Sequence, residues 1–195
     1  MFIPDYDSEG STTWYFNQGT GCPVTKCWVA SALVSTNKWA SNAANKWEED
    51  YAFAVIPDSY NAGSLESVVG SFPLDFGGDY ATQTRIDAFG YPAAKKYSGA
   101  DLVYCEGNDH VLSDGLQQTT AIRCNMTGGA SGGPWLKGFD ATTQVGAVRS
   151  VTSYSYSSAN GYLFGPIFDE YTRQTYLEAL STSGDKLVGP VPPVG

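Results

Sequence analysis

The residues most suited to chemistry are 128–135, Gly-Gly-Ala-Ser-Gly-Gly-Pro-Trp, in which Ser131 lies between glycines. Glycine lets the backbone approach a substrate closely and turn its N–H groups toward it. Donors placed in this way stabilise the negative charge that develops on a carbonyl oxygen during acyl transfer. The octapeptide therefore predicts a nucleophilic serine on a tight turn, the alternative being an ordinary glycine-rich loop between strands.

Composition describes the scaffold that must hold this loop. The chain has 195 residues, of which only 16% are charged, with 22 glycines and 13 tyrosines. This usage is typical of a protein rich in strands and turns. The net charge of −9 argues against nucleic acid and anionic membrane surfaces as partners, and no apolar run reaches the length of a membrane span. We expect an acidic all-β protein.

The four cysteines fall in two pairs, Cys22 with Cys27 and Cys105 with Cys124. Disulfides are favoured over a zinc site or free thiols, because zinc sites of this kind usually add histidines and the only histidine is His110. Disulfides imply an oxidising compartment, so we expect a secreted protein. Residues 1–7, however, lack the basic and apolar regions of a signal peptide.

Hydrophobic patterning predicts several short strands and one helix. The helix is expected over 169–182, with Asp169 as its N-cap and Phe168, Thr172, Tyr176 and Leu180 on one face. The strands are predicted over 28–34, 50–56, 84–92, 101–106 and 145–151. Residues 60–78 are turn-rich and are expected to connect two parts of the chain.

Two other serine architectures fit the sequence poorly. The elbow of α/β-hydrolases requires a following helix and a later histidine, but Pro134 comes three residues after Ser131 and no histidine follows His110. The order Asp50, His110, Ser131 matches subtilisin-like enzymes, in which the serine begins a helix. Residues 131–140 are not helical in pattern, and His110 lies in a polar, turn-like cluster that predicts an exposed loop histidine.

In a third architecture the catalytic residues follow one another along the chain as histidine, aspartate and serine. The motifs of this sequence resemble that architecture closely. The stretch 126–135 around Ser131 resembles the nucleophile loop of chymotrypsin-fold serine peptidases, in the form found in secreted bacterial and fungal trypsin-like members. Asp50, directly before an apolar strand, resembles the catalytic-aspartate segment of this family. Gly90-Tyr91-Pro92 resembles the end of the first strand of the second barrel. The resemblance implies an all-β fold of two barrels with a C-terminal helix.

The resemblance also implies roles for individual residues. Ser131 would be the nucleophile, the N–H groups of Gly129 and Ser131 would form the oxyanion hole, and Asp50 would orient a catalytic histidine. Asn125 would lie at the floor of the primary specificity pocket, where it lacks the negative charge that selects Lys or Arg. Ser153 would lie on the strand that binds the substrate backbone. No metal or cofactor is implied, and the expected partner of this monomer is a protein or peptide substrate.

One element of the family pattern is missing, because residues 1–49 contain no histidine to serve as the general base. We therefore expect an N-terminally truncated serine endopeptidase with little or no activity as these 195 residues. The alternative is a non-catalytic, secreted homologue that binds a partner through the substrate cleft. The expected organisation is a remnant of the first barrel plus connector over 1–68, the second barrel over 69–168, the helix over 169–182 and an extended tail over 183–195.

Overall fold

The computed structural model describes residues 28–57, 64–77, 80–113, 117–159 and 161–190. Its strands are β1 Ala32–Thr36, β2 Phe53–Val55, β3 Arg85–Gly90, β4 Val103–Asn108, β5 His110–Ser113, β6 Gln118–Arg123, β7 Pro134–Asp140, β8 Val145–Val151, β9 Tyr162–Gly165 and β10 Lys186–Val188. The α-helices are α1 Asn37–Ala40, α2 Leu65–Val69 and α3 Glu170–Ser181. Short 3-10 turns span Lys46–Glu49 and Ser157–Ala159.

The described strands form three sheets. The first has the order β10-β1-β2, the second β4-β3-β7-β8 and the third β5-β6-β9. All pairings inside the second and third sheets are antiparallel, whereas β10 lies parallel to β1. Hairpin connections such as β7–β8 explain the antiparallel pairs, and the parallel pair joins segments from opposite ends of the chain. The predicted all-β class with a C-terminal helix is confirmed.

The main core lies between the second and third sheets. It is built from buried apolar side chains of both sheets and of the segments around Ser131, namely Ile86, Ala88, Ile122, Met126, Ala130, Trp135 and Leu163. The Cys105–Cys124 disulfide packs on the same core and joins β4 to the end of β6. That predicted pairing is confirmed, whereas the predicted Cys22–Cys27 pair lies outside the described residues. Ala130 belongs to this core, so the loop that carries Ser131 is anchored by packing.

The predicted helix is confirmed, with a different buried face. Asp169 caps α3 by accepting a hydrogen bond from the Thr172 N–H at 3.0 Å, and the Thr172 hydroxyl accepts one from the Asp169 N–H. The buried positions of α3 are Thr172, Thr175 and Ala179, whereas Leu180 is 65% exposed. The four-residue spacing placed Leu180 on the wrong face, since that spacing drifts around a helix with 3.6 residues per turn.

Strand predictions were accurate where the apolar pattern was local. β8 has the predicted bounds, and β3 lies within its predicted range and ends at the expected turn. The strand predicted over 28–34 is displaced, because β1 begins only at Ala32. The strand predicted over 50–56 is too long, because β2 covers only Phe53–Val55. The connector 60–78 contains the one-turn helix α2.

The predicted tail from residue 183 is part of the fold at least as far as Val188. Leu187 and Val188 pair with Ser35 and Thr36 of β1, and Val188 is buried against Val34. The tail was predicted from its proline and glycine content, which does not reveal a strand partner about 150 residues away in sequence. The division at residues 68 and 168 stays a prediction.

Candidate active site

The loop that carries Ser131 is shaped by consecutive turns. The Ala130 N–H donates to Thr127 O at 3.3 Å, and the Gly133 N–H donates to Ala130 O at 3.1 Å. Gly129 has a φ of 105°, and a Cβ atom there would lie 2.8 Å from Tyr91 O. Only glycine fits this position without displacing the neighbouring chain. The glycines of the motif thus allow the tight turn that the sequence predicts.

Several N–H groups of this loop remain available for a ligand, among them those of Gly129 and Ser131. Within the described part of the chain, the Gly129 and Ser131 N–H groups donate to no other residue, although those of Ala130, Gly132 and Gly133 all do. The Ser131 hydroxyl likewise has no hydrogen-bond partner among these residues, and Ser131 is exposed. Unsatisfied donors beside an exposed hydroxyl are the arrangement that an oxyanion-binding nucleophile needs.

Asp50 is linked to the loop that carries Ser131 through the segment that follows β8. The Ser153 hydroxyl donates to Asp50 Oδ2 at 2.5 Å, a contact between residues 103 positions apart. The preceding residue, Thr152, accepts from the Gly132 N–H at 2.7 Å and donates to Gly133 O at 2.9 Å. The structure therefore brings together the predicted Asp50, Ser153 and Ser131 through two adjacent residues of one segment.

A cavity of about 480 Å³ has both Asp50 and Ser131 in its wall. Apart from these two residues the wall is largely apolar or aromatic, and it includes Leu33, Trp39, Leu74, Val151 and Phe168. The volume is many times the roughly 30 Å³ that one water molecule occupies. The cavity is therefore large enough for a ligand group much bigger than a water molecule, and Asp50 and Ser131 both lie in its wall.

The only histidine of the chain lies elsewhere. His110 is the first residue of β5, where its ring packs edge-on against Tyr162 at 5.7 Å between centroids. The prediction of an exposed loop histidine was wrong, since β5 pairs with β6 and His110 is half-buried. His110 is not among the residues that line the cavity containing Asp50 and Ser131. Among the described residues no three His, Cys, Asp or Glu side chains group as metal ligands.

Asn125 lies in the wall of a separate cavity of about 590 Å³. One wall consists of residues 124–128, which lead into the loop that carries Ser131, and another comes from 155–157, Ala159, Gly161 and Tyr162. The Asn125 side-chain oxygen accepts a hydrogen bond from the Tyr97 hydroxyl at 3.2 Å. Lys95 and Lys96 complete the described lining. No motif in the sequence predicts Lys95 and Lys96 for this site. The only signal is that they are consecutive lysines in an acidic chain.

Glu49, next to Asp50, has an unusual environment for a carboxyl group. It is 5% exposed and accepts a hydrogen bond from the Tyr51 hydroxyl at 2.8 Å, with Lys38 Nζ at 3.6 Å. Burial raises the pKa of Glu49 from 4.5 to about 7, and the Tyr51 hydrogen bond and the Lys38 charge only partly oppose this. Burial also raises the pKa of Tyr51 well above its usual range. The acid beside Asp50 therefore titrates near neutrality.

Comparison of the fold with solved structures gives consistent neighbours. The thermostable serine protease AL20 from an extremophilic microorganism is 33% identical, with a TM-score of 0.70, over 93% of this chain and 75% of AL20. The protease Anisep from Arthrobacter nicotinovorans is 36% identical, with a TM-score of 0.67, over 83% of this chain and 70% of Anisep. The chain belongs to the chymotrypsin-like serine protease family. The fold predicted from the serine loop and the Asp50 segment is thereby confirmed.

A more distant member of the fold is also similar in structure. The Glu endopeptidase solved in complex with MPD is 17% identical, with a TM-score of 0.56, over 77% of this chain and 62% of its own, which supports the shared fold alone. No family model matches the sequence, and neither does any curated protein. In the described part of this serine protease homologue, no helix has the length and apolar character to cross a membrane.

Proposed function

We propose that this chain carries the acylation site of a serine endopeptidase. Ser131 is the nucleophile, the Gly129 and Ser131 N–H groups bind the oxyanion, and Asp50 orients an imidazole. The observation that carries this proposal is the 2.5 Å hydrogen bond from Ser153 to Asp50, which fixes the carboxylate in the same cavity wall as Ser131. Family membership at 33–36% identity supports the same reaction class.

The reaction needs a base that these 195 residues do not offer. An imidazole in the cavity would take the proton of the Ser131 hydroxyl as its oxygen attacks the substrate carbonyl, forming a tetrahedral oxyanion. The imidazolium would then give that proton to the leaving amine, and water would hydrolyse the acyl-enzyme by the same route. Because His110 is placed elsewhere, we propose that the histidine comes from outside these residues and that the chain alone has little activity.

Chemical rescue with free imidazole tests this proposal. The 195-residue chain is incubated with an activated ester and increasing imidazole, and the rate of Ser131→Ala under the same conditions is subtracted. We expect a saturable increase on the order of 10-fold to 100-fold, since a positioned base contributes at least this much. Asp50→Asn should weaken the rescue and the exposed control Asp101→Asn should not. Pyrazole, a ring of similar size and much weaker basicity, should give none.

The same experiment addresses the non-catalytic alternative. If imidazole gives no increase above the Ser131→Ala rate at any concentration, the peptidase proposal fails. A homologue that only binds through its cleft would then be supported by saturable peptide binding that does not require the Ser131 hydroxyl. The cavity of about 480 Å³ beside Asp50, with its largely apolar lining, is the feature that favours this second function.

We also propose that the protein is secreted and acts as a monomer on protein or peptide substrates. The Cys105–Cys124 disulfide supports an oxidising compartment, because such bonds are rarely maintained in the cytosol. Substrates of this class follow from the proteases that the chain is similar to. Recovery of the disulfide-bonded chain from culture medium, with the mass of a single copy, would agree with this. A dimeric or cell-retained product would contradict it.

A further inference from the structure

Glu48 connects three parts of the chain through its two carboxylate oxygens. Oε1 accepts a hydrogen bond from the Gln118 N–H at 2.7 Å, a contact between residues 70 positions apart. Oε2 accepts from the Asn45 side-chain amide at 2.9 Å and from the Lys38 ammonium. Gln118 begins β6 and Lys38 belongs to α1, so one carboxylate joins the third sheet to the helix that follows β1. Hydrogen bonds to an ionised carboxylate are stronger than those between neutral groups, so this connection is a firm one.

The residue before Glu48 contacts the same part of the molecule through its ring. Trp47 lies 5.2 Å from Tyr154 between ring centroids. Tyr154 stacks on Phe164 of β9 at 5.0 Å, with 7° between the ring planes. The Tyr154 hydroxyl also lies 2.9 Å from the hydroxyl of Thr119 in β6. Residues 47 and 48 are therefore both attached to the third sheet, one by aromatic packing and the other by a charged hydrogen bond.

This attachment bears on Asp50, which follows Glu48 by two residues. Asp50 accepts the hydrogen bond from Ser153, and the residue after Ser153 is the aromatic partner of Trp47. The two segments therefore lie side by side, and Glu48 adds a further connection to the sheet beneath them. A hydrogen bond between two side chains forms at a lower entropic cost when their backbones are already fixed. The contacts of Glu48 thus favour the bond between Asp50 and Ser153.

From this arrangement we infer that Glu48 is a positioning residue for the proposed reaction. It fixes the segment before Asp50 on β6 and so keeps the Asp50 carboxylate on Ser153, in the cavity wall where an imidazole can bond it. The inference rests on the proposed function for the role of Asp50. Glu48 is not among the described residues that line the cavity containing Asp50 and Ser131, so it acts through the backbone and not on a ligand.

Imidazole rescue of the intact chain tests the inference through Asp50. We expect Glu48→Ala to lower the rescued rate about 10-fold at a fixed imidazole concentration, since a misplacement of about 1 Å can cost up to about 100-fold. Glu48→Gln should recover part of this loss, because its amide oxygen can still accept from the Gln118 N–H. Glu178→Ala is the matched control, since Glu178 also pairs with a lysine, Lys186, and it should keep the wild-type rate.

A second background separates positioning from general stability. In Asp50→Asn the carboxylate to be positioned is absent, so adding Glu48→Ala should cause little further loss of rescue. An equal fold-loss in the wild-type and Asp50→Asn backgrounds would show that Glu48 supports only the fold as a whole, and would overturn the inference. A Glu48→Ala rate equal to that of the wild type would also overturn it. Glu48→Gln is measured in both backgrounds, so the result does not depend on how well Glu48→Ala folds.

Amide hydrogen exchange gives a readout that needs no chemistry. The Tyr51 N–H, next to Asp50, donates to Glu49 O at 2.8 Å. We expect Glu48→Ala to accelerate exchange of the Tyr51 and Gln118 N–H groups about 10-fold and to leave the amides of β7 unchanged. Faster exchange at these two amides without imidazole rescue of the wild-type chain would keep the positioning of this segment and reject the peptidase proposal. Unchanged exchange at both amides would overturn the inference whatever the rescue shows.

Discussion

Asp50 and Ser131 owe their arrangement to a pair of neighbouring residues. Ser153 binds the Asp50 carboxylate and Thr152 binds the backbone on the C-terminal side of Ser131, so one short segment positions both proposed catalytic groups. The Trp135 indole N–H donates to the Thr152 hydroxyl at 2.9 Å and so fixes that segment on the barrel core. The relative placement of Asp50 and Ser131 thus depends on a segment that is anchored to the core through Trp135.

Glu49 should make stability depend on pH in a way opposite to most carboxyl groups. Its pKa is about 7 in the folded chain and 4.5 in the unfolded one, so the folded chain binds more protons between these values. Stability therefore falls as pH rises from about 4.5 to about 7 and is constant above that range. Glu49→Gln should stabilise the protein by about 3 kcal/mol near pH 8, the free energy that separates a pKa of about 7 from one of 4.5, and by little near pH 4.

Urea unfolding of the wild-type and Glu49→Gln chains at these two pH values measures the effect. The exposed control Asp101→Asn should not produce a comparable pH-dependent gain. A Glu49→Gln effect of the same size at both pH values would show that the gain comes from packing and not from ionisation.

Strand β8 is linked to two other segments of the barrel by a single buried cation. Arg149 is 1% exposed, and its Nε donates to Asp109 Oδ2 at 2.9 Å while its Nη1 lies 3.3 Å from Asp75 Oδ2. The Arg149 guanidinium also lies 3.7 Å from the centroid of the Tyr80 ring. Asp109 separates β4 from β5, so this ion pair sets the position of the β5–β6 hairpin relative to β8.

Arg149→Met should destabilise the protein by about 3 to 5 kcal/mol, because it leaves the buried Asp109 carboxylate without its cation. Arg173→Met is the matched control, since its pair with Glu170 lies on the exposed face of α3, and it should cost at most about 1 kcal/mol. Chemical denaturation measures both. Adding Asp109→Asn to Arg149→Met should recover part of the loss, and failure to recover any would mean that the arginine acts through packing alone.

The molecule is held together by contacts between its distant parts. The C-terminal strand β10 pairs with β1, and the Tyr171 hydroxyl of α3 donates to Val188 O at 2.6 Å. Phe53 of β2 packs against Tyr176 of α3, with 5.5 Å between ring centroids. The segment that provides Asp50 is therefore braced by the last residues of the fold, and loss of β10 would loosen the acid side of the proposed site.

The Cys105–Cys124 disulfide should be a large single contribution to stability. It closes a loop with a sequence separation of 19 and so restricts the unfolded chain. Replacing both cysteines with alanine should cost about 3 kcal/mol, as expected for a loop near this length. Reduction of the wild-type chain should reproduce most of the loss. If reduction leaves the thermal midpoint unchanged while the alanine pair lowers it, the effect belongs to the lost sulfur packing.

Local patterns in the sequence were sufficient for several features. The alternation of β3, the apolar run of β8 and the cap of α3 depend on residues within one element, and the structure places them as predicted. The glycines around Ser131 are required by turns that close within a few residues, so the loop could be predicted from its composition. The family resemblance added Asp50 and Ser153, which the structure brings together.

Features that depend on distant partners could not be predicted in this way. The pairing of β10 with β1 and the placing of His110 on β5 follow from partners that no local pattern identifies. The same holds for Lys95 and Lys96, which become a charged cavity wall only because the turn that bears them is tied to residues 127–128. The serine loop was thus specified by nearby residues, because a tight turn is a local property of glycine. The acid, the cavities and the charge around that loop were settled by folding, because they join residues far apart in the chain.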